Sequence, residues 1–350
     1  MTSATATITN TPKWIKDARF DRIFIFGLPT IAILSACVIA VKPSLFTPIL
    51  LVDLWLLGYH HVVSTYTRLC FDKQSFQEHR FLLTWLIPIV AIPTILIALT
   101  FGVVAIVTIY FYWQWWHYTR QSWGVSRIFR GRDPDAIYED NRLDQAIFYS
   151  VPIFGVLSRS SENHSTFIGL EFYSAPVHEY VAVLAGYIAL ALLAFWVVRR
   201  YQAYTEGRLA ILHTSYMMTH FLIFGIAYYT IPEITVGWLV INIWHNAQYI
   251  LFVWLFNNKR FKDGVDPSAR FLSSISQSGK IWHYLGACLM ITGVVYWGII
   301  RSIDHILLTG VSATIVIYQI VNFHHYVVDS VIWKVRKPAM RQTLNLKTAE

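Results

Sequence analysis

Charged residues are scarce in this chain of 350 residues. Asp, Glu, Lys and Arg make up 14% of it, whereas an ordinary soluble domain has about 25%. Apolar residues make up 55%, and the mean hydropathy is +0.47. The composition excludes an ordinary soluble domain and predicts an all-α, polytopic integral membrane protein.

Cysteine is scarce too. Cys37, Cys70 and Cys288 show no CxxC spacing, which argues against a disulfide framework and against a thiolate metal site. A short apolar run followed by a small-residue cleavage site is also missing, because the first 21 residues are polar and basic. We therefore expect the first apolar run to stay in the membrane as an anchor.

Long apolar runs predict a bundle of about ten transmembrane helices. The expected segments are 22–41, 46–69, 81–100, 103–123, 145–160, 177–199, 209–230, 234–256, 281–300 and 305–332. We expect one transmembrane domain, 22–333, between cytoplasmic tails at 1–21 and 334–350. Segments three and four nearly touch at Phe101-Gly102, which predicts a tight helical hairpin.

Basic residues support this order of segments. If the N-terminus lies inside and the segments alternate, only Lys42, Arg159 and Arg301 of the 28 Lys and Arg residues lie outside. Such a bias is typical of a membrane protein with both termini in the cytoplasm. The net charge of +8 is then explained by topology. We expect a bacterial inner membrane protein whose surroundings are the lipid bilayer, with no nucleic-acid partner.

Seven of the thirteen histidines fall well inside predicted spans, several residues from either end. By helical rise, all seven lie about 9 to 17 Å from the cytoplasmic boundary. Ionisable side chains at membrane depth normally face a bundle interior and carry function. These histidines are His60, His61, His117, His220, His245, His324 and His325.

Most of these histidines have a polar residue three or four positions later in the chain, which lies on the same face of the predicted helix. The pairs are His325 with Asp329, His117 with Gln121, His245 with Gln248, His61 with Thr65 and His60 with Ser64. Such neighbours fix the tautomer and orientation of a metal-binding imidazole. We therefore expect Asp329 to be a ligand or to orient one, and Gln121, Gln248, Thr65 and Ser64 to orient ligands.

A buried imidazole nitrogen without a partner costs a few kcal/mol, and a metal ion would remove that cost. Imidazole with carboxylate suits iron, copper or zinc. We expect a metal centre formed by the seven histidines and Asp329, with His117 and Asp329 as the catalytic residues. Haem or a haem–copper centre, a histidine-lined proton or metal transport path, and hydrogen-bonded core packing are the alternatives.

Aromatic residues crowd the fourth and eighth segments, for example Trp113, Trp116 and Trp244. They predict either packing and interfacial anchoring or an apolar tunnel for a hydrophobic substrate. Arg68 and Arg120 lie at the inner ends of histidine-bearing helices. They mark topology, or they hold a carboxylate or phosphate headgroup at the mouth of the site.

The histidine pairs at 60–61 and 324–325, with single histidines at 117, 220 and 245, resemble histidine-rich integral-membrane non-haem iron oxygenases, desaturases and hydroxylases. The chain is also similar to the Brp/Blh membrane carotenoid-cleaving enzymes. The resemblance concerns architecture, because the HxxxH and HxxHH boxes are absent. It implies a monooxygenase, desaturase or related oxidoreductase with one or two non-haem iron ions, a lipid-like substrate and a soluble electron donor.

Overall fold

A computed structural model describes residues 13–300 and 313–346, with only the backbone for 299 and 300. The described chain is almost entirely helical. In chain order the helices are α1 (Ala18–Val41), α2 (Pro43–Cys70), α3 (Lys73–Glu78), α4 (Arg80–Arg132), α5 (Asn141–Ser161), α6 (Glu179–Thr205), α7 (Ile211–Gly225), α8 (Ile234–Arg260), α9 (Arg270–Ile275), α10 (Ile281–Thr292), α11 (Ala313–Ile332) and α12 (Pro338–Leu344).

Four π-helical segments interrupt or extend these helices. Ile23–Gly27 lies inside α1 and Leu54–Gly58 inside α2, while Ile226–Thr230 extends α7 and Gly293–Ile300 extends α10. The segment in α2 directly precedes His60 and His61. A π turn shifts the register of the residues after it, and such turns are frequent at functional sites.

Short elements connect the helices. Pro134–Tyr138 and Pro267–Ala269 are 3₁₀ helices. An antiparallel hairpin joins β1 (Thr166–Phe167) to β2 (Leu170–Glu171). Its Phe167 is fully buried against Phe111 and Trp238, so the hairpin closes the end of the bundle at α4 and α8.

Six of the described helices are long and apolar enough to cross a membrane, namely α1, α2, α4, α6, α8, and α10 together with its extension as far as Gly298. This confirms the all-α membrane fold at that level. The predicted segments 145–160 and 209–230 coincide with α5 and with α7 plus its extension. Segment 305–332 coincides with α11 from Ala313 onward, and its first eight residues, with Arg301, lie outside the described residues.

The third and fourth predicted segments fall within α4, a 53-residue element. Gly102 breaks the helix between them, with φ 76° and ψ 178°. This backbone conformation is open to glycine and strained for other residues. The predicted junction at Phe101-Gly102 therefore coincides with a real break.

Helix α8 is the centre of the bundle. In its most apolar stretch 89% of the residues are buried, whereas only 17% are buried in the most apolar stretches of α4 and of α6. It packs against α1, α2, α4 and α7. At its start, a Cβ on Gly237 would collide with the carbonyl oxygen of Ala227, so glycine permits this close approach. The outer faces of α1, α4 and α6 expose apolar side chains such as Ile31, Leu99 and Leu184.

The described ends of the chain meet at one place. Arg132, at the end of α4, donates to the backbone oxygen of Trp14 at 2.9 Å and to that of Asn345 at 3.0 Å. The expected tail after 334 contains α12, which buries Met340 and Leu344. The segments near both ends therefore pack on the same end of the bundle.

Candidate metal centre

Four of the seven predicted histidines lie together in the bundle interior. His61 is on α2, His117 on α4, His245 on α8 and His325 on α11, and all four are buried. We call these four residues the histidine cluster. His61 is the middle ring, with centroids 4.6 Å from His325, 4.8 Å from His245 and 6.2 Å from His117.

Nitrogen atoms of the cluster face one another. The Nε2 atoms of His61 and His325 are 2.7 Å apart. One nitrogen each from His61, His117 and His325 and one carboxylate oxygen of Asp329 all lie within 4.8 Å of one another. Two nitrogens bound to one ion at about 2.1 Å each are at most about 4.2 Å apart, so small side-chain movements bring this set around one ion.

A hydrogen-bond chain orients His325. Its Nδ1 lies 3.0 Å from Thr65 Oγ1, and Thr65 donates to Asp329 Oδ1 at 3.1 Å. When Thr65 donates its proton to the carboxylate, it accepts from His325 Nδ1–H. The proton of His325 then sits on Nδ1 and the lone pair of its Nε2 faces Nε2 of His61, and protonation at Nδ1 is an arrangement that metal-binding histidines use.

Asp329 is held by several donors. Its Oδ1 also accepts from Tyr249 at 2.8 Å, and Tyr249 accepts from Trp333 Nε1 at 2.7 Å. Its Oδ2 accepts from Gln121 Nε2 and lies 3.6 Å from His325 Nε2. Oδ2 thus keeps lone-pair capacity on the side of the imidazoles. Asp329 is placed both to orient His325 and to donate an oxygen.

Several cluster nitrogens have no hydrogen-bond partner. These are Nε2 of His117, Nε2 of His245 and Nδ1 of His61, all in fully buried positions. A buried polar atom without a partner costs about 1–3 kcal/mol, and native proteins rarely leave such atoms unexplained. Partnerless nitrogens on three imidazoles of one cluster fit a bound cation, and the nitrogen-rich donor set with one carboxylate suits a transition metal.

Aromatic rings enclose the cluster. Tyr249 packs on His61, Tyr118 on His245 and Tyr326 on His117, with centroids 4.1, 4.1 and 4.2 Å apart. These contacts fix the planes of the imidazoles. They also fill the space beside the rings that the plane of a porphyrin would need.

His220 lies away from the cluster, although its predicted depth is similar. Its Nδ1 is 3.0 Å from Ser122 Oγ and its Nε2 is 3.1 Å from the oxygen of Phe148. Its ring stacks on Phe148 at 3.6 Å. Both nitrogens have partners, so the structure does not bring the expected ligand His220 to the cluster.

His324 is likewise occupied. Its Nδ1 is 2.6 Å from the hydroxyl of Tyr66 and its Nε2 is 2.7 Å from the oxygen of Leu82. It joins α11 to α2 and to the start of α4. The structure therefore does not bring the expected ligand His324 to the cluster either.

His60 points to another side of α2. Its Nδ1 is 3.2 Å from the oxygen of Leu56, and its Nε2 has no described partner. Adjacent helical residues are rotated by about 100°, so when His61 faces the cluster His60 cannot. The structure therefore places His60 outside the group formed by His61, His117, His325 and Asp329.

Of the four residues expected to orient ligands, two contact the site. Thr65 and Gln121 contact Asp329 rather than the histidine four residues before them. Gln248 accepts from Tyr216 at 2.9 Å, and its Nε2 has no described partner. Ser64 lies beside Tyr284, away from the cluster. Thr65 and Gln121 thus support the site, whereas Ser64 does not.

A cavity of about 1160 Å³ opens next to the cluster. His117, His245, Gln121 and Asp329 line its inner part, and Arg120 lies along its wall. Arg68 is not among its lining residues. It is clamped between the rings of Phe256 and Trp333, each 4.4 Å away. Of the two arginines expected at the mouth, the structure places Arg120 at the cavity and Arg68 away from it.

The sequence reasoning missed a buried carboxylate, Asp53 on α2. Asp53 accepts from Asn242 Nδ2 at 2.5 Å, and Asn242 in turn accepts from the hydroxyl of Tyr118, which packs on His245. A single carboxylate in the apolar run 46–69 was the available signal. Asp53 therefore belongs to a polar chain that adjoins the cluster.

A second group of metal-ligand residue types was also missed. Glu139 accepts from His213 Nδ1 at 2.5 Å and pairs with Arg200, while Asp144 accepts from Arg200 at 2.5 Å and from Arg130 at 2.8 Å. Two guanidinium groups neutralise the two carboxylates. The group is therefore an ion-pair network that joins α4, α5, α6 and α7.

Comparisons with the models of known protein families, with curated proteins and with solved structures find no match to this chain.

Proposed function

We propose that this protein is a membrane enzyme that uses one metal ion and dioxygen to oxidise a lipid-like substrate. The observation that carries the proposal is the histidine cluster, in which four helices bring together four imidazoles and three of these have a buried nitrogen without a partner. His61, His117 and His325 would hold the ion, with His245 and Asp329 beside them. The adjoining cavity supplies a place for a substrate.

Iron is the ion that we propose. Several imidazoles with one carboxylate and open positions are typical of non-haem iron sites. When bound, iron would supply the redox chemistry that dioxygen requires. The donor set is compact enough for one ion, so we propose a mononuclear centre rather than a di-iron centre. Haem is disfavoured because His61 and His325 are in direct contact and tyrosine rings fill the space around the other imidazoles.

The protein groups have separate tasks in this proposal. Thr65 and Asp329 keep the proton of His325 on Nδ1. Gln121 and Tyr249 fix the carboxylate of Asp329. The aromatic wall of the cavity excludes water from the inner end, which protects a reactive oxidant from side reactions. Desaturation, hydroxylation or cleavage would then depend on which substrate carbon reaches the ion.

We further propose ten transmembrane segments with both termini in the cytoplasm of a bacterium. The distribution of Lys and Arg supports this topology. The contacts of Arg132 with Trp14 and Asn345 support placing both ends on one side. The cavity mouth, near Lys334 and Asp133, then faces the cytoplasm, where a soluble electron donor can reach it.

Elemental analysis of the purified full-length protein, together with its optical spectrum, tests the proposal. We expect about one iron per chain without a Soret band, and oxygen consumption when a reductant and membrane lipid are supplied. A Soret band would replace the proposal with a haem protein. Metal or proton flux in proteoliposomes without oxygen consumption would contradict the enzyme proposal and indicate a transporter.

A further inference from the structure

The cavity beside the histidine cluster is strongly asymmetric in charge. Its lining includes six cations and two carboxylates, Asp133 and Asp329. Asp329 lies at the inner end. Oδ1 of Asp133 lies 3.4 Å from Nζ of Lys13, so this carboxylate has its own cationic partner. The six cations are Arg120, Arg127, Arg130, Lys334, Arg336 and Arg341.

Most of these cations lack an anionic partner. Arg130 pairs with Asp144, but Arg120 donates to the hydroxyl of Tyr149 and Arg127 to the side chain of Asn141, both neutral. Among the described residues, none of the ion pairs includes Arg120, Arg127, Lys334, Arg336 or Arg341.

Like charges come close together at the mouth of the cavity. Arg127 lies near Arg130 and Arg341, and Asp144, which pairs with Arg130, offsets part of the repulsion between these cations. Residues that only mark membrane topology can spread over the cytoplasmic surface, whereas these converge on one opening. Guanidinium groups bind phosphate and carboxylate in forked geometry, so an anion at this opening would relieve the repulsion.

The wall between the mouth and the cluster is mainly aromatic. Trp123 and Trp113 on α4, Phe252 on α8, and Tyr326 and Trp333 near the end of α11 line it. Apart from Arg120, this wall offers aromatic surface, which favours an apolar chain. A ligand with an anionic head and a long apolar tail complements both the cationic mouth and the aromatic wall.

We propose that the cavity binds an amphiphile by its anionic headgroup, with the headgroup at Arg127, Arg336 and Arg341 and the tail directed at His117 and His245. Arg127 follows His117 by ten residues on α4, about 15 Å by helical rise. A head held at Arg127 therefore places a mid-chain carbon beside the cluster, and the carbons next to the head stay distant from it. The identity of the reacting centre rests on the proposed function, whereas the binding of the amphiphile does not require the ion.

Equilibrium binding to the full-length protein in phosphatidylcholine nanodiscs tests this proposal. The probes are radiolabelled hexadecanoate and hexadecanol, which share a chain and differ in head charge. We expect hexadecanoate to bind at least about tenfold more tightly, since one charge-assisted contact is worth about a factor of ten. Equal binding of the two probes would overturn the proposal.

A double variant locates the head. Arg336→Gln with Arg341→Gln removes two cations from the mouth, and we expect hexadecanoate to bind on the order of tenfold more weakly or worse, with hexadecanol unchanged. The matched control is Lys262→Gln with Lys280→Gln, which removes the same charge from exposed positions outside the cavity lining. Equal losses in both double variants would mean a general surface effect and would overturn the proposal.

Competition identifies the source of the anion. Displacement of hexadecanoate by phosphatidylglycerol in the nanodisc would make the ligand a membrane phospholipid, and resistance to it would make the ligand a free single-chain amphiphile. Both outcomes support an anionic amphiphile. Displacement by inorganic phosphate at equal affinity would overturn it, because the tail would then contribute nothing.

The His325→Ala variant separates this proposal from the proposed enzyme function. We expect it to lose the ion and still bind hexadecanoate with little change. A wild-type protein that binds hexadecanoate and never holds a metal would refute the enzyme and leave the binding proposal standing. A protein that holds iron and binds the two probes equally would refute the binding proposal and leave the enzyme proposal standing.

Discussion

The Nε2 atoms of His61 and His325 face each other at 2.7 Å, although 264 residues separate them in the chain. Each histidine has a neighbouring histidine, His60 or His324, that points elsewhere and has a different environment. The chain therefore contains two natural pairs in which one imidazole belongs to the cluster and the adjacent one does not. These pairs make the metal proposal testable with closely matched variants.

The first prediction compares His325→Ala with His324→Ala. We expect His325→Ala to abolish stoichiometric iron, because it removes one of the proposed ligands. His324→Ala should retain iron and instead lower thermal stability, since it leaves Tyr66 and the oxygen of Leu82 without partners, at about 1–3 kcal/mol for each buried group. Metal content and melting temperature in detergent measure the two effects.

The pair His60 and His61 provides an independent check at α2. We expect His61→Ala to lose iron and His60→Ala to keep it. If His60→Ala and His324→Ala lost iron as completely as the other two variants, the cluster of four would be the wrong ligand set.

The second prediction concerns the hydroxyl that orients His325. Thr65→Val keeps the shape of the side chain and removes the link between His325 Nδ1 and Asp329. We expect iron affinity to fall about 10- to 100-fold, as is usual when an orienting partner is lost. Thr67→Val is the control, because Thr67 is buried on the same helix and donates to the oxygen of Ser64. A competing chelator titration measures both; an equal loss in the control would assign the effect to helix packing.

The grouping of four histidines along the helix axes could be predicted from the sequence, but the rotation of each side chain about its helix axis could not. Apolar run lengths placed His61, His117, His245 and His325 at one level, and the structure brings their rings together. The same reasoning placed His220 there too. His220 faces Phe148 instead, because its direction depends on how α7 packs against α5.

Adjacent histidines show a second limit of the sequence. Successive side chains on a helix diverge by about 100°, so only one member of each pair can face the cluster. Which member does so depends on packing and, in α2, on the π-helical segment Leu54–Gly58 that sets the register before His60. Arg68 illustrates the same point, because its location beside Phe256 and Trp333 follows from contacts between distant segments.

The third prediction concerns the break in α4. Gly102 has a positive φ of 76°, so Gly102→Ala should destabilise the protein by about 1 kcal/mol or more. Gly124→Ala is the matched control in the same helix, because no atom lies within 4 Å of its added Cβ. The control should be neutral or slightly stabilising. Thermal unfolding in detergent distinguishes them, and equal melting temperatures would show that the break is not strained by alanine.

The fourth prediction concerns pH and the start of α5. Asp140 accepts from the backbone N–H groups of Arg142 and Leu143 at 2.8 and 3.2 Å. These hydrogen bonds hold the pKa of Asp140 below its ordinary value. The stabilisation is therefore fully present above the unfolded pKa of about 3.9 and is lost as the pH falls through the lower folded pKa.

Replacing Asp140 tests this dependence. Asp140→Ala should cost about 1 kcal/mol at neutral pH, as is typical for an N-cap, and the difference from the unaltered protein should shrink towards pH 3. Asp263→Ala, at an exposed loop position, is the control and should change little at either pH. A pH-independent difference for Asp140→Ala would indicate that the charge of the cap contributes nothing.

The fifth prediction compares two adjacent arginines on α6. Arg200 is buried and bridges Glu139 and Asp144, whereas Arg199 is exposed and contacts Gln202. Arg200→Ala leaves buried carboxylates with too little positive charge, and breaking such a pair from one side typically costs about 3–5 kcal/mol. Arg199→Ala should cost less than about 0.5 kcal/mol. Since Arg200 makes no contact with the histidine cluster, any Arg200→Ala protein that folds should keep its iron affinity, and a loss of iron without a loss of stability would show that the network acts on the metal centre.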